Sequence, residues 1–151
     1  MPSDGADDIE GVDQGEFAGW TKFRGENFED AAGPFFWRRE ADGRVRCAFR
    51  VERRHLNGGG RVHGGCLMTF ADMALFAISR HELGTARAVT VTLDNQFLDA
   101  GFEGELIEAT GEVTRAGGSL IFARGQATSG ERTLLTFSGV IKKIRPRPDG
   151  P

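Results

Sequence analysis

Hydrophobic positions along the chain change their spacing several times, and each change predicts a different element. Phe17, Trp20, Phe23 and Phe28 recur at spacings of three, three and five, which fits a short helical or irregular cover segment packed on a core. From Gly33 the period shortens. Pro34-Phe35-Phe36-Trp37-Arg38 is an aromatic run, Ala41-Asp42-Gly43 is a turn signal, and Val45, Cys47, Phe49 and Val51 alternate with Arg46 and Arg50. Together they predict a β-hairpin. Residues 52–63 read as a loop with three consecutive glycines. Gly64 to about Leu83 is the one long helix candidate, apolar nearly all round from Leu67 to Ile78 and ending before Gly84. A helix without a polar face is surrounded by protein. Four long strands complete the chain: Arg87–Leu98, Glu105–Ala116, Leu120–Thr128 and Arg132–Ile144, broken at Ala100-Gly101, Gly117-Gly118 and Ser129-Gly130. Two strands, a buried helix and four strands predict an α+β fold in which an antiparallel sheet wraps around one long central helix.

Composition and charge narrow what such a domain does. The chain has 151 residues, enough for one ordinary domain. Residues 1–16 hold six acids and no base and read as a solvated, disordered acidic tail. Residues 17–32 form the cover segment, 33–145 the folded domain and 146–151 a C-terminal tail. The net charge is −3, yet without the tail the body is +3. A weakly basic body suits a small anionic ligand and lacks the dense stripe of a nucleic-acid binder. Cys47 and Cys66 make no disulfide framework, and His55, His63 and His81 match no compact metal-ligand spacing. There is no apolar run long enough for a membrane span and no secretory signal pattern, so the expected location is cytoplasmic, with both thiols reduced.

Two features carry chemistry. Asp72 lies mid-helix between Phe70-Ala71 and Met73-Ala74-Leu75, with no Lys or Arg three or four residues away. An ionised carboxylate there needs a partner, a wet cavity or a raised pKa, and such carboxylates concentrate at sites. The second feature is the glycine-rich start of the helix, Gly58-Gly59-Gly60-Arg61-Val62-His63-Gly64-Gly65. Unpaired N–H groups at a helix start attract a phosphate or a developing oxyanion, and missing Cβ atoms at Gly64 and Gly65 allow close approach. His63 at this position orients the turn. Cys66, in the first turn, is either a thiol of lowered pKa or a small core residue. Gly64 and Asp72 are separated by about 12 Å along a helix, too far to act on one carbonyl carbon. Either they are unrelated, or one site joins Asp72 of one chain to the glycine turn of another in a two-fold dimer.

The stretch His55-Leu56-Asn57 … Gly60-Arg61-Val62-His63-Gly64-Gly65-Cys66-Leu67 … Ala71-Asp72 resembles the hotdog-fold acyl-CoA thioesterases, in particular the group that includes phenylacetate-degradation thioesterases. The Asn stands six residues before the His-Gly-Gly and the Asp nine residues after that His. Gly33-Pro34-Phe35-Phe36 and Val89-Thr90-Val91 extend the likeness over roughly residues 33–145. The resemblance implies a hotdog fold with active sites at a dimer interface, as a homodimer or a dimer of dimers. It implies that Asp72 activates water or attacks the thioester, that the Gly64 N–H polarises its carbonyl, and that Asn57 orients carbonyl or water. Thr90 helps to hold the water, and His63 completes the catalytic group. Coenzyme A, part of the substrate and not a separate cofactor, is implied to bind along Phe97–Gly101 and at Arg115, Gly117, Gly118 and Ser119, with Gly65 beside the thioester. Arg115 is the expected phosphate partner. Where the family often has Pro-Ala and then a base, this chain reads Asp99-Ala100-Gly101-Phe102-Glu103, so Arg115 or Lys142/Lys143 must supply the missing contact. Hydrolysis of acyl-CoA has two rivals on this fold: a hydratase or dehydratase acting on acyl thioesters, and a non-catalytic acyl-CoA binding protein.

Overall fold

The two-residue alternation of the strands resolves into one sheet in the computed structural model, which describes residues 8–145. Its strands are β1 (Ile9–Gly11), β2 (Thr21–Phe23), β3 (Phe36–Arg39), β4 (Val45–Arg50), β5 (Arg87–Phe97), β6 (Leu106–Ala116), β7 (Leu120–Ser129) and β8 (Arg132–Ile144). The helices are α1 (Phe28–Ala32), α2 (Gly64–Ile78) and α3 (Arg80–Leu83). All eight strands join in the order β1-β2-β3-β4-β6-β7-β8-β5, every neighbouring pair antiparallel. The chain leaves β4, runs through α2 and returns at the far edge as β5. The sheet therefore curls around the helix, with β5 left open on its outer side. This is the α+β architecture expected from the pattern, and the hotdog fold that the resemblance implies. Among the described residues no helix is long and apolar enough to cross a membrane.

The core forms where α2 meets the inner face of the sheet. Phe70, Met73 and Leu75 of the helix are almost completely buried, as are Phe49, Ile107, Ile121, Leu134, Leu135 and Ile141 of the strands. Phe35, Phe49 and Phe70 pack as an aromatic cluster, with centroids 4.8–5.3 Å apart. The helix comes this close because the sheet lacks side chains beneath it. A Cβ at Gly139 would collide with Leu75 Cδ1 and the Thr92 carbonyl, and one at Gly111 with Ile78 Cδ1 and the Arg124 carbonyl. Gly111 and Gly139, which stand in no motif of the sequence, thus have a packing role.

Three expectations change. The acidic segment 1–16 is not wholly a tail: residues 1–7 lie outside the described residues, but Ile9–Gly11 pair with Thr21–Phe23, and Glu16 bonds Arg50. Glu10 also meets Lys22 at 3.2 Å, so charge and backbone pairing together hold the segment. In the cover segment, Phe17 and Trp20 do pack, in a satellite cluster with Ala48, whereas Phe28 is exposed. Finally, the helix expected over 64–83 breaks at Ser79, whose ψ of 4° interrupts the regular turn before α3 resumes. Gly84, with φ +58°, ends α3 as expected of a glycine stop.

Candidate active site

The loop before α2 is a set of backbone bonds arranged around two side chains. Asn57 accepts at Oδ1 from the Gly59 N–H (2.9 Å) and the Arg61 N–H (3.2 Å), which folds the glycine run into a closed turn. Its Nδ2 has no partner among the described residues and stays available as a donor. His63 caps the helix: its Nδ1 accepts the Gly65 N–H at 2.8 Å. That contact is close enough that a Cβ on Gly65 would stand 3.0 Å from the same nitrogen. The Gly64 N–H has no hydrogen-bond partner among the described residues and carries the positive end of the helix dipole. The Phe97 ring lies beside it, 3.5 Å from where a Gly64 Cβ would be. His55 has a structural task, accepting the Glu52 N–H at Nδ1 (2.9 Å) and meeting the Gly33 carbonyl at Nε2 (2.8 Å).

Asp72 is found on the one face of α2 that the sheet leaves open. Beyond the first turn, where Gly64, Gly65 and Cys66 are all partly open, Met68, Thr69, Asp72 and Phe76, three or four residues apart along one stripe, are the helix positions that keep exposure. Thr90 Oγ1 donates to Asp72 Oδ1 at 2.6 Å. Asp72 has no ion pair among the described residues. A β-bulge makes this contact compatible with the one at Gly64: the β5–β8 register shifts between Thr90 and Thr92, leaving Val91 extra. Seven residues separate Thr90 from Phe97, so in a regular strand they would face opposite sides. With the bulge both face α2. The site residues of one chain thus form two groups, Asp72 with Thr90 and Asn57, His63, Gly64 with Phe97, and the chain does not bring the two groups together.

The expected ligand-binding end is split as well. Arg115 pairs across the ladder with exposed Phe122, on the outer face of the sheet, whereas Thr90 pairs with buried Ile141 on the inner face. Lys143 pairs with Ala88, which packs on the core, and so shares the Thr90 side. Its N–H also holds the Ser119 carbonyl at 2.7 Å, tying the Gly117-Gly118-Ser119 turn to β8. Asp99, in the stretch that departs from the family pattern, meets Arg132 at 3.4 Å.

Residues 59–136 match the model of the thioesterase superfamily. The chain belongs to the thioesterase superfamily. It is 35% identical over 120 residues to a Pseudomonas aeruginosa protein named as a candidate esterase, covering 79% of this chain and 90% of the relative. It is 32% identical over 123 residues to human acyl-coenzyme A thioesterase 13, covering 79% and 84%. Among solved structures, a Bacillus halodurans protein determined with CoA superposes with a TM-score of 0.74 at 21% identity, over 82% of this chain and 83% of that one.

The structure of this thioesterase also shows a group that the sequence reading passed over. Glu29, on the short helix α1, packs toward α2 and is partly buried without an ion-pair partner among the described residues. Burial first, and the nearby Asp72 charge second, push its carboxyl from 4.5 up to about 7. No sequence signal marks it, because an acid in the first turn of a helix is ordinary. A carboxyl that holds its proton more tightly when folded weakens the fold as it ionises, so stability falls as pH rises from 4.5 to about 7. Glu29→Gln should remove that loss, making the variant more stable than the parent by on the order of 1–2 kcal/mol at pH 8 and equal at pH 4. Urea unfolding at the two pH values checks it; a difference independent of pH contradicts the assignment. Cys66 moves the other way from the lowered thiol considered above: burial pushes it up to about 11 in this thioesterase, so it is a packing residue. No cluster of three or more metal-ligating side chains is present among the described residues.

Proposed function

We propose that this thioesterase hydrolyses an acyl-CoA thioester to the free acid and coenzyme A, in two equivalent sites of a two-fold dimer. The observation that carries the reading is the pairing of Thr90 with Asp72 on the open face of α2, with no ion pair to Asp72 among the described residues and about 12 Å along the helix from the Gly64 N–H. The long edge of β5 suggests how the two groups meet. It carries exposed Val89 (47%) and Val91 (53%) over eleven residues, the kind of edge that must be covered. If it pairs antiparallel with itself about an axis at Asp94, the bulge at Val91 brings Thr90 of one copy opposite Phe97 of the other. Asp72 of the first copy then works beside Gly64 and Asn57 of the second.

In this arrangement Asp72 and Thr90 hold a water between them. Asp72 takes its proton as the oxygen attacks the thioester carbon, and the Gly64 N–H of the second copy stabilises the resulting oxyanion. Collapse breaks the C–S bond, and the proton on Asp72 passes to the departing thiolate. In the alternative route Asp72 attacks directly and water later cleaves the mixed anhydride. Asn57 Nδ2 orients the carbonyl, while His63 holds the glycine turn. Lys143, with the Gly117–Ser119 turn, is positioned for the coenzyme A phosphates on the inner side, Arg115 on the outer. Support for coenzyme A as the thiol comes from the human relative, named for acyl-CoA hydrolysis, and the Bacillus halodurans neighbour, which contains CoA.

A thiol-release assay over a panel of acyl-CoAs tests the reading. Stoichiometric thiol and free acid are expected. Interconversion of enoyl and hydroxyacyl thioesters without thiol would point to a hydratase, and saturable binding without turnover to a non-catalytic acyl-CoA binder.

A further inference from the structure

Helix α1 turns one acid inward. Phe28 and Ala31 are exposed, whereas Ala32 packs on the core and its carbonyl meets the Cys66 thiol of α2 at 4.0 Å. Glu29, three residues before Ala32, lies on that same face of the turn, so its partly buried carboxyl is directed toward α2. The charged groups around it leave it without a counter-ion. On its own helix, Asp30 is taken by Lys22 of β2 at 3.1 Å, and the same ammonium meets Glu10 at 3.2 Å. From the loop before α2, Arg54 donates to the Ala31 and Gly33 carbonyls and to Glu52. From α2 come the Cys66 thiol, kept neutral by burial, and Asp72. Lys22, Glu29 and Asp30 also border one cavity of about 10 Å³, room for a single water, through which the carboxyl can exchange its proton.

Each carboxyl acts on the other. The Asp72 charge is the second cause that keeps the Glu29 proton in place up to about pH 7, and repulsion between two carboxylates is mutual. An ionised Glu29 therefore favours the protonated form of Asp72 as much as an ionised Asp72 favours that of Glu29. We propose that Glu29 is a positioning residue of the hydrolytic site that acts through Asp72: its carboxylate strengthens Asp72 as the acceptor of the water proton, and its protonated form leaves Asp72 the weaker base. The proposal rests on the acyl-thioester reading above. Below the midpoint of Glu29 the pair carries one proton and one negative charge, and thiol release is slow. Above it the pair carries two negative charges, and thiol release is faster. If Asp72 attacks the thioester directly, the same charge makes it the stronger nucleophile, so the effect has the same sign on both routes.

The test is the ratio of kcat/KM for the parent to that for Glu29→Gln, measured from about pH 5.5 to 8.5 with a thiol reagent that reacts at acid pH. Taking the ratio cancels the ionisation of the coenzyme A phosphates. It should lie near one at the acid end and climb to roughly three- to tenfold at the alkaline end, with its midpoint near 7. Glu29→Asp, which keeps the charge, should restore part of the climb. A ratio independent of pH overturns the coupling, whether the variant is uniformly slower or equal to the parent. Carboxyl titration followed by ¹³C NMR covers a Gln variant that does not fold. One resonance of the parent should titrate near 7, and its midpoint should fall in Asp72→Asn; an unmoved midpoint also overturns the coupling. No thiol release from any acyl-CoA at any pH overturns the hydrolase reading and the role of Glu29 in it, even where the NMR midpoint moves.

Discussion

Asp72→Asn should lower thiol release from a good acyl-CoA substrate by about 10²- to 10⁴-fold with little change in fold. The asparagine keeps the shape of the side chain and still offers Oδ1 to the Thr90 hydroxyl, which donates to it at 2.6 Å in the parent. What is lost is the ability to take a proton or to attack carbon. Steady-state kinetics with circular dichroism checks both parts, and normal turnover in the variant would end the assignment. A single turnover in ¹⁸O-water then separates the two routes. Label appearing in the Asp72 carboxyl marks attack by the carboxylate; label confined to the released acid, with no acyl-enzyme trapped by hydroxylamine, marks a general base. The same variant reports on Glu29, because removing the Asp72 charge takes away the second of the two causes that hold that carboxyl at about 7.

The second large effect is a recovery. Asp72→Asn and Asn57→Ala should each be nearly inactive alone, because every site in a uniform dimer lacks one component. Mixed dimers differ. One of their two sites takes Asp72 from the Asn57→Ala chain and Asn57 from the Asp72→Asn chain, and is intact. Random exchange makes half of the dimers mixed, so activity should recover to about a quarter of the parent value. The measurement is thiol release after co-refolding the two variants in equal amounts. No recovery, with mixed dimers demonstrated by mass, would place Asp72 and Asn57 in the same-chain site and overturn the shared arrangement.

The parts of this protein legible in the sequence are those fixed by local rules. The start of α2 at Gly64 follows from a capping side chain and a run of small residues, and the strands from two-residue alternation. Asp72 was visible as a carboxylate in an apolar helix, and Thr90 through the family pattern. The rest depends on partners distant in sequence. Ile9–Gly11 carries one apolar residue and becomes a strand only because β2 offers a ladder. Helix α2 reads as apolar all round, yet a stripe through Thr69 and Asp72 stays open because the sheet curls only part of the way around it. The bulge at Val91 leaves no mark in the hydrophobic pattern, since Val-Thr-Val-Thr alternates perfectly across it. Because that alternation is misleading, the inward direction of Phe97 can be read only from the paired register. Arg115 follows from the resemblance and its charge, and neither says which face of a sheet a side chain takes.

The two edges of the sheet are unlike. One ends in the three residues of β1, with Glu10 engaged by Lys22, and gives an incoming strand little to pair with. The other is the eleven-residue β5, open and exposing Val89, Val91 and Phe97. A sheet with two such adhesive edges would add copies without limit and grow into a fibre. With one, a copy that pairs edge to edge about a two-fold axis consumes the sheet edge able to continue the growth. The asymmetry between β1 and β5 makes the proposed assembly a closed pair, finite by construction.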